Sequence, residues 1–165
     1  MAYTPVAYPD DKPAFYQVLR EQLALHLADA PTAVTALANA SAVLSDALGD
    51  CNWIGFYLVR GDRLVLGPFQ GKPAVMEIPY ARGVCGAAWQ QKATQVVRDV
   101  HAFAGHIACD CASASELAVP LFAADGRALG ILDCDSPLPA RFDEKDAAEM
   151  DAIAADLASR IANLA

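Results

Sequence analysis

Apolar residues recur every four positions through Phe15, Leu19, Leu23 and Leu27, a spacing that places them on one face of an amphipathic helix over 12–29. Pro31 stops that helix. A second is expected over 32–48, with Val34, Leu37, Leu44 and Leu48 inward and Gly49 as its C-terminal cap. The pattern then shortens. WIGFYLVR (53–60) is aromatic and β-branched, Gly61 and Asp62 make a turn, and RLVLGPF (63–69) completes a hairpin. AVMEI (74–78) reads as another strand, GVCGAAWQQK from Gly83 as a helix, and TQVVRDV (94–100) as a short edge strand. ELAVPLF (116–122) and ALGILDCD (128–135) flank the turn Asp125-Gly126 as a second hairpin. A long helix closes the chain over 143–164. Met150, Ile153, Leu157, Ile161 and Leu164 form its buried stripe, and Asp143 and Asp146 fit an N-terminal cap. Helices at both ends of a set of antiparallel strands predict an α+β fold, and no repeat or long linker divides the 165 residues.

Composition narrows the function classes. A hydrophobic fraction of 55% is high, but no apolar run approaches the ~20 residues of a membrane span. The first fifteen residues lack a basic segment followed by an apolar one, so secretion is not expected. The net charge of −8, with no cluster of Lys or Arg, argues against nucleic-acid binding. Five cysteines, an odd number set within well-built apolar segments, suit reduced thiols in a cytoplasmic protein better than a disulfide scaffold.

The stretch GHIACDCASASE (105–116) concentrates the candidate chemistry. Cys-x-Cys beside His106 invites a metal, yet a closed structural zinc site needs four ligands and no second cysteine pair exists, so no metal is expected. A permanent bridge between Cys109 and Cys111 would close a strained ring, although a labile one stays open. Cys51, ahead of a strand, and Cys134, alternating with two aspartates, read as core residues. Cys85 and Cys109 differ. Cys85 sits between glycines at a helix start, where unpaired N–H groups favour thiolate, and Cys109 lies on a polar loop. If these two meet in space they make a nucleophile and its resolver. Asp133 and Asp135 alternate on one strand and share a face, and Glu116 at the start of the neighbouring strand is within reach of it. Carboxylates crowded in a partly apolar pocket raise one another's pKa and supply a proton donor; ordinary strand-end carboxylates are the alternative. Trp53 fits either the core or the apolar wall of a small-molecule site.

Six blocks in order, NWIGFYL (52–58), LGPFQGKPA (66–74), GVCG (83–86), DVHAFAGHIACD (99–110), SELAVP (115–120) and LGILDCDS (129–136), resemble the free methionine-(R)-sulfoxide reductases, single GAF-domain enzymes. The resemblance implies a central antiparallel sheet of about six strands between helices, over 1–165, with a small-molecule pocket on one face. It implies that Cys109 attacks the substrate and Cys85 forms a disulfide with it, with the two roles open to exchange. Glu116, Asp133 and Asp135 would hold the substrate and its sulfoxide oxygen, and Trp53 and Tyr57 would line the pocket. It further implies thioredoxin as reductant, no cofactor, and a possible homodimer. One departure is clear: family members commonly read KPAC where this chain reads KPAV, so Val75 removes a third redox cysteine. Resolution would fall to Cys85, or else to Cys111. The rival reading is a GAF module that binds a small molecule or senses redox state without turnover.

Overall fold

In the computed structural model, which describes residues 4–108 and 110–164, six strands form one antiparallel sheet with helices on both faces. Two helices come first. Helix α1 (Lys12–Leu27) starts at Asp11, whose carboxylate accepts from the Ala14 N–H. Helix α2 (Ala33–Ala47) starts with a reciprocal cap between Thr32 and Thr35. The strands are β1 (Trp53–Arg60), β2 (Arg63–Gln70), β3 (Glu77–Pro79), β4 (Gln95–Val97), β5 (Ser115–Phe122) and β6 (Ala128–Ser136). Helix α3 (Gly83–Gln91) falls between β3 and β4, and α4 (Glu144–Ile161) ends the fold. The order across the sheet is β3-β2-β1-β6-β5-β4.

Alternation along the three central strands divides the interior in two. Ile54 and Phe56 of β1, Leu117, Val119 and Leu121 of β5, and Leu132 and Cys134 of β6 pack with α1, α2 and α4. Their neighbours Trp53, Tyr57, Ala118 and Ile131 point the other way, against Val84, Cys85 and Ala88 of α3. The first layer is the main apolar core. The second carries the chemistry.

Helix α4 is fixed at its start by the expected pair. Asp143 and Asp146 cap each other's backbone, and the Lys12 ammonium bridges both carboxylates at 2.7 and 2.8 Å. The Tyr16 hydroxyl donates to the buried Asp146 at 2.8 Å, which locks α1 to α4.

Four sequence expectations need correction. Val34 lies in the first turn of α2, outside the buried row through Ala36, Leu37, Ala40 and Leu44, and is 60% exposed. Gly49 does not cap α2; Leu48 does, donating its N–H to the Leu44 carbonyl. Residues 74–76 are not strand: β3 starts at Glu77, and the segment before it crosses the sheet face. Leu164 lies beyond the end of α4 and is half-buried. Among the described residues, no helix is long and apolar enough to cross a membrane.

Candidate active site

Strand register sets out the site as rows across the α3-facing side of the sheet. Trp53, Asp135 and Glu116 are cross-strand partners in one row; Gly55, Asp133 and Ala118 form the next. Small residues on both sides of Asp133 leave room above the sheet. A Cβ at Gly55 would fall 2.3 Å from Phe69 Cβ and 2.8 Å from Trp53 Cη2, so glycine there lets the indole lie flat over β1. Trp53 stacks on Phe69 and on Tyr57, with ring centroids 5.2 and 5.9 Å apart.

Helix α3 supplies the sulfur. Cys85 is buried, and its Sγ lies 3.9 Å from Glu116 Oε1. Glu116, Asp133 and Asp135 are all under 5% exposed. Burial first, and the Asp135 charge second, push the Glu116 pKa well above its ordinary value. Asp135 is raised likewise, by burial and then by Asp133, against the hydrogen bond from Ser113. A carboxyl in this cluster therefore keeps its proton above the usual carboxylate range. His106 Nε2 comes within 3.3 Å of Glu116 Oε2 without hydrogen-bond geometry, and burial lowers its pKa, which favours neutral imidazole.

Two segments close over these groups. Residues 71–76 are held to the sheet by the aromatics: Trp53 Nε1 donates to the Lys72 carbonyl at 3.1 Å, and the Tyr57 hydroxyl to the Val75 carbonyl at 2.8 Å. Gly71 has φ +140°, and a Cβ there would lie 2.5 Å from Trp53 Cδ1, so both its backbone conformation and the indole require glycine. The second segment is the loop between β4 and β5. It touches α3 where Gly83, at φ +63°, turns its open side to Ile107. The Lys72 ammonium joins the two segments through Asp110, 3.0 Å away. The Ala112 N–H, then Lys72 and Asn52, lower the Asp110 pKa to about 2, so this link persists across ordinary pH. Asn52 also donates to Ser113 Oγ at 3.2 Å.

The structure thus brings together Cys85, Glu116, Asp133, Asp135, Trp53 and Tyr57. Cys109 lies outside the described residues, although Ile107 and Asp110 on either side of it are both anchored at the site. Cys111 is exposed, while Cys134 packs in the opposite layer and Cys51 is half-buried against it. His106 beside Glu116, and the Lys72–Asp110 link, were not picked out from sequence. His106 carried a signal as a histidine in the reactive loop, but its facing partner is ten residues on and fixed by the fold. Metal-ligating chemistry also converges here: one donor atom each from Cys85, Glu116 and Asp133 lies within 4.8 Å of the others, a set that sequence spacing did not suggest.

Comparison with known proteins gives this geometry a family. The GAF domain model matches residues 14–161. The free methionine-R-sulfoxide reductase of Escherichia coli (strain K12) is 46% identical over 136 residues, covering 82% of each chain. Protein YtsP of Bacillus subtilis (strain 168) is 48% identical over 138 residues, covering 82% of this chain and 84% of its own. The chain belongs to the GAF-domain free methionine-R-sulfoxide reductases. The crystal structure of the Neisseria meningitidis member of that family in complex with its substrate superposes with a TM-score of 0.90 at 46% identity, covering 96% of this chain and 95% of that one. Fold and family expectations from the six sequence blocks are therefore met, and the family is one of oxidoreductases.

Proposed function

We propose that this protein reduces free L-methionine-(R)-sulfoxide to methionine in the chamber between α3 and the sheet. The observation that carries the reading is the buried contact between Cys85 Sγ and Glu116 Oε1, 3.9 Å apart, beside two further carboxylates and an aromatic wall. A thiol next to a carboxyl that retains its proton is the pairing that sulfoxide reduction needs. Sulfoxide oxygen is a poor leaving group until it is protonated.

In this mechanism the Cys109 thiolate attacks the sulfoxide sulfur while Glu116, assisted by Asp133 and Asp135, protonates the oxygen. The S–O bond breaks from methionine, the oxygen passes to Cys109 as a sulfenic acid, and methionine leaves. The Cys85 thiol then attacks the Cys109 sulfur, releasing water and forming a disulfide. A dithiol reductant of the thioredoxin type restores both thiols by exchange. Anchoring of Ile107 and Asp110 beside the chamber supports Cys109 as the attacking sulfur. Val75 in the covering segment leaves Cys85 as the resolver with the acid beside it.

The same groups account for restriction to the free amino acid. Carboxylates on the sheet attract the substrate ammonium, N–H groups of the β4–β5 loop take its carboxylate, and Trp53 and Tyr57 face its S-methyl end. Cys85, Glu116, Asp133 and Asp135 are all under 5% exposed, so a residue inside a peptide has no path to them for its flanking chain. The test is NADPH consumption with thioredoxin and its reductase, run with each epimer of free methionine sulfoxide. Turnover of the R epimer alone is expected. No turnover of either epimer would make the protein a non-catalytic GAF module.

A further inference from the structure

We propose that the reduced protein binds one zinc ion through Cys85, Glu116, Asp133 and His106, and that this ion inhibits the reductase. The inhibitory part rests on the reading above; the binding part does not. Donor atoms of Cys85, Glu116 and Asp133 lie within 4.8 Å of one another, with Cys85 Sγ to Glu116 Oε1 at 3.9 Å. His106 Nε2 approaches Glu116 Oε2 to 3.3 Å from the side of the β4–β5 loop. In a tetrahedral zinc site, bonds of about 2.3 Å to sulfur and about 2.0 Å to nitrogen or oxygen put donors roughly 3.3–3.5 Å apart. The Cys85, Glu116 and Asp133 donors have to close from within 4.8 Å to those separations, and His106, which approaches Glu116 from outside that set, has to turn further toward them. One sulfur, one imidazole and two carboxylates suit zinc, whereas magnesium and calcium prefer oxygen alone.

Two further observations point to a cation. Asp135 is 1% exposed and is the cross-strand partner of Glu116, yet its Oδ2 has no hydrogen-bond partner among the described residues. His106 Nε2 is likewise buried with no hydrogen-bond partner among them. Ser113 serves the Asp135 carboxylate but leaves Oδ2 buried without a donor among the described residues, which is costly, and a divalent ion beside it offsets that cost. Zinc binding replaces the thiol proton of Cys85 and the carboxyl proton of Glu116, which leave to solvent, while His106 binds as neutral imidazole. The bound ion occupies the carboxylates that would take the substrate ammonium and the sulfur that would resolve the disulfide. Formation of a disulfide at Cys85 removes a ligand and frees the ion.

The experiment titrates reduced, metal-free, full-length protein with Zn²⁺ against a chromophoric chelator, and with Co²⁺ to read thiolate-to-metal absorption. One ion per chain is expected, displaced by free methionine-(R)-sulfoxide. Cys85→Ser should abolish the thiolate band and weaken zinc by roughly tenfold or more. Cys51→Ser and Cys111→Ser should leave binding unchanged. Glu116→Gln, with similar shape, gives a second reading of the same loss if Cys85→Ser fails to fold. Binding that survives Cys85→Ser, or that disappears in Cys111→Ser, would move the ion to the exposed loop and overturn the proposal, as would no binding by the folded protein. Zinc binding without reduction of either epimer would sink the reductase reading and leave the site standing. Normal turnover with zinc bound would remove the inhibition.

Discussion

At the scale of the residue, Glu116 holds the site together: sulfur, imidazole and carboxylate all approach its two oxygens. A carboxyl whose pKa is raised by folding binds its proton more tightly in the folded chain. It therefore stabilises most at low pH, and that contribution is lost as pH rises through the folded value. Glu116→Gln keeps the shape and removes the titration. Its melting temperature should fall less than that of the native protein between mildly acidic and mildly alkaline solution, which thermal melts across pH would read. The same change should slow sulfoxide reduction by roughly a hundredfold or more, as expected for loss of a general acid. Disulfide recycling, followed separately by stopped-flow with reduced thioredoxin, should change less. Asp133 and Asp135 were legible in sequence because a period of two assigns a face before any fold is known. Glu116 was legible as a strand start, but its closeness to His106 belongs to tertiary structure and has no local signal.

At the scale of the element, the covering segment 71–76 and the start of α4 predict opposite phenotypes. Gly71→Ala pushes a methyl group into Trp53 at a backbone angle that favours glycine, so the segment must lift from the sheet. Activity should fall, with KM rising, and intrinsic tryptophan fluorescence should change with it. Asp143→Ala removes one side of the α4 cap, far from the chamber. It should cost about 1 kcal/mol, read as a melting temperature lower by about 2–4 °C, with kcat/KM unchanged. Periodicity announced α1, α4 and both hairpins, because their apolar rows are long and their capping residues local. It misread 74–76 as strand. Val75 and Met76 look like strand residues, but the Tyr57 hydroxyl takes the Val75 carbonyl, and Val75 and Met76 are 37% and 75% exposed. Gly49 failed as a cap for a similar reason: Leu48, buried in the helical layer, ends α2 itself.

At the scale of the whole molecule, the sheet separates two jobs. One face is an apolar layer with three helices; the other gathers acids, a thiol and aromatic rings under α3 and two covering segments. Cys85, Glu116, Asp133 and Asp135 are buried, and Lys72 ties residues 71–76 to Asp110 in the β4–β5 loop beside them. Lys72→Met should loosen both covers and raise KM for the free amino acid more than it lowers kcat, measured by steady-state kinetics. The most direct measurement of the central claim is a single turnover of reduced Cys85→Ser with free L-methionine-(R)-sulfoxide, quenched and assayed for methionine. About one methionine per chain, followed by a stall that thioredoxin does not relieve through an intramolecular disulfide, is the expected result. Sustained cycling with thioredoxin at the native rate, or no methionine at all from a folded variant, would contradict it.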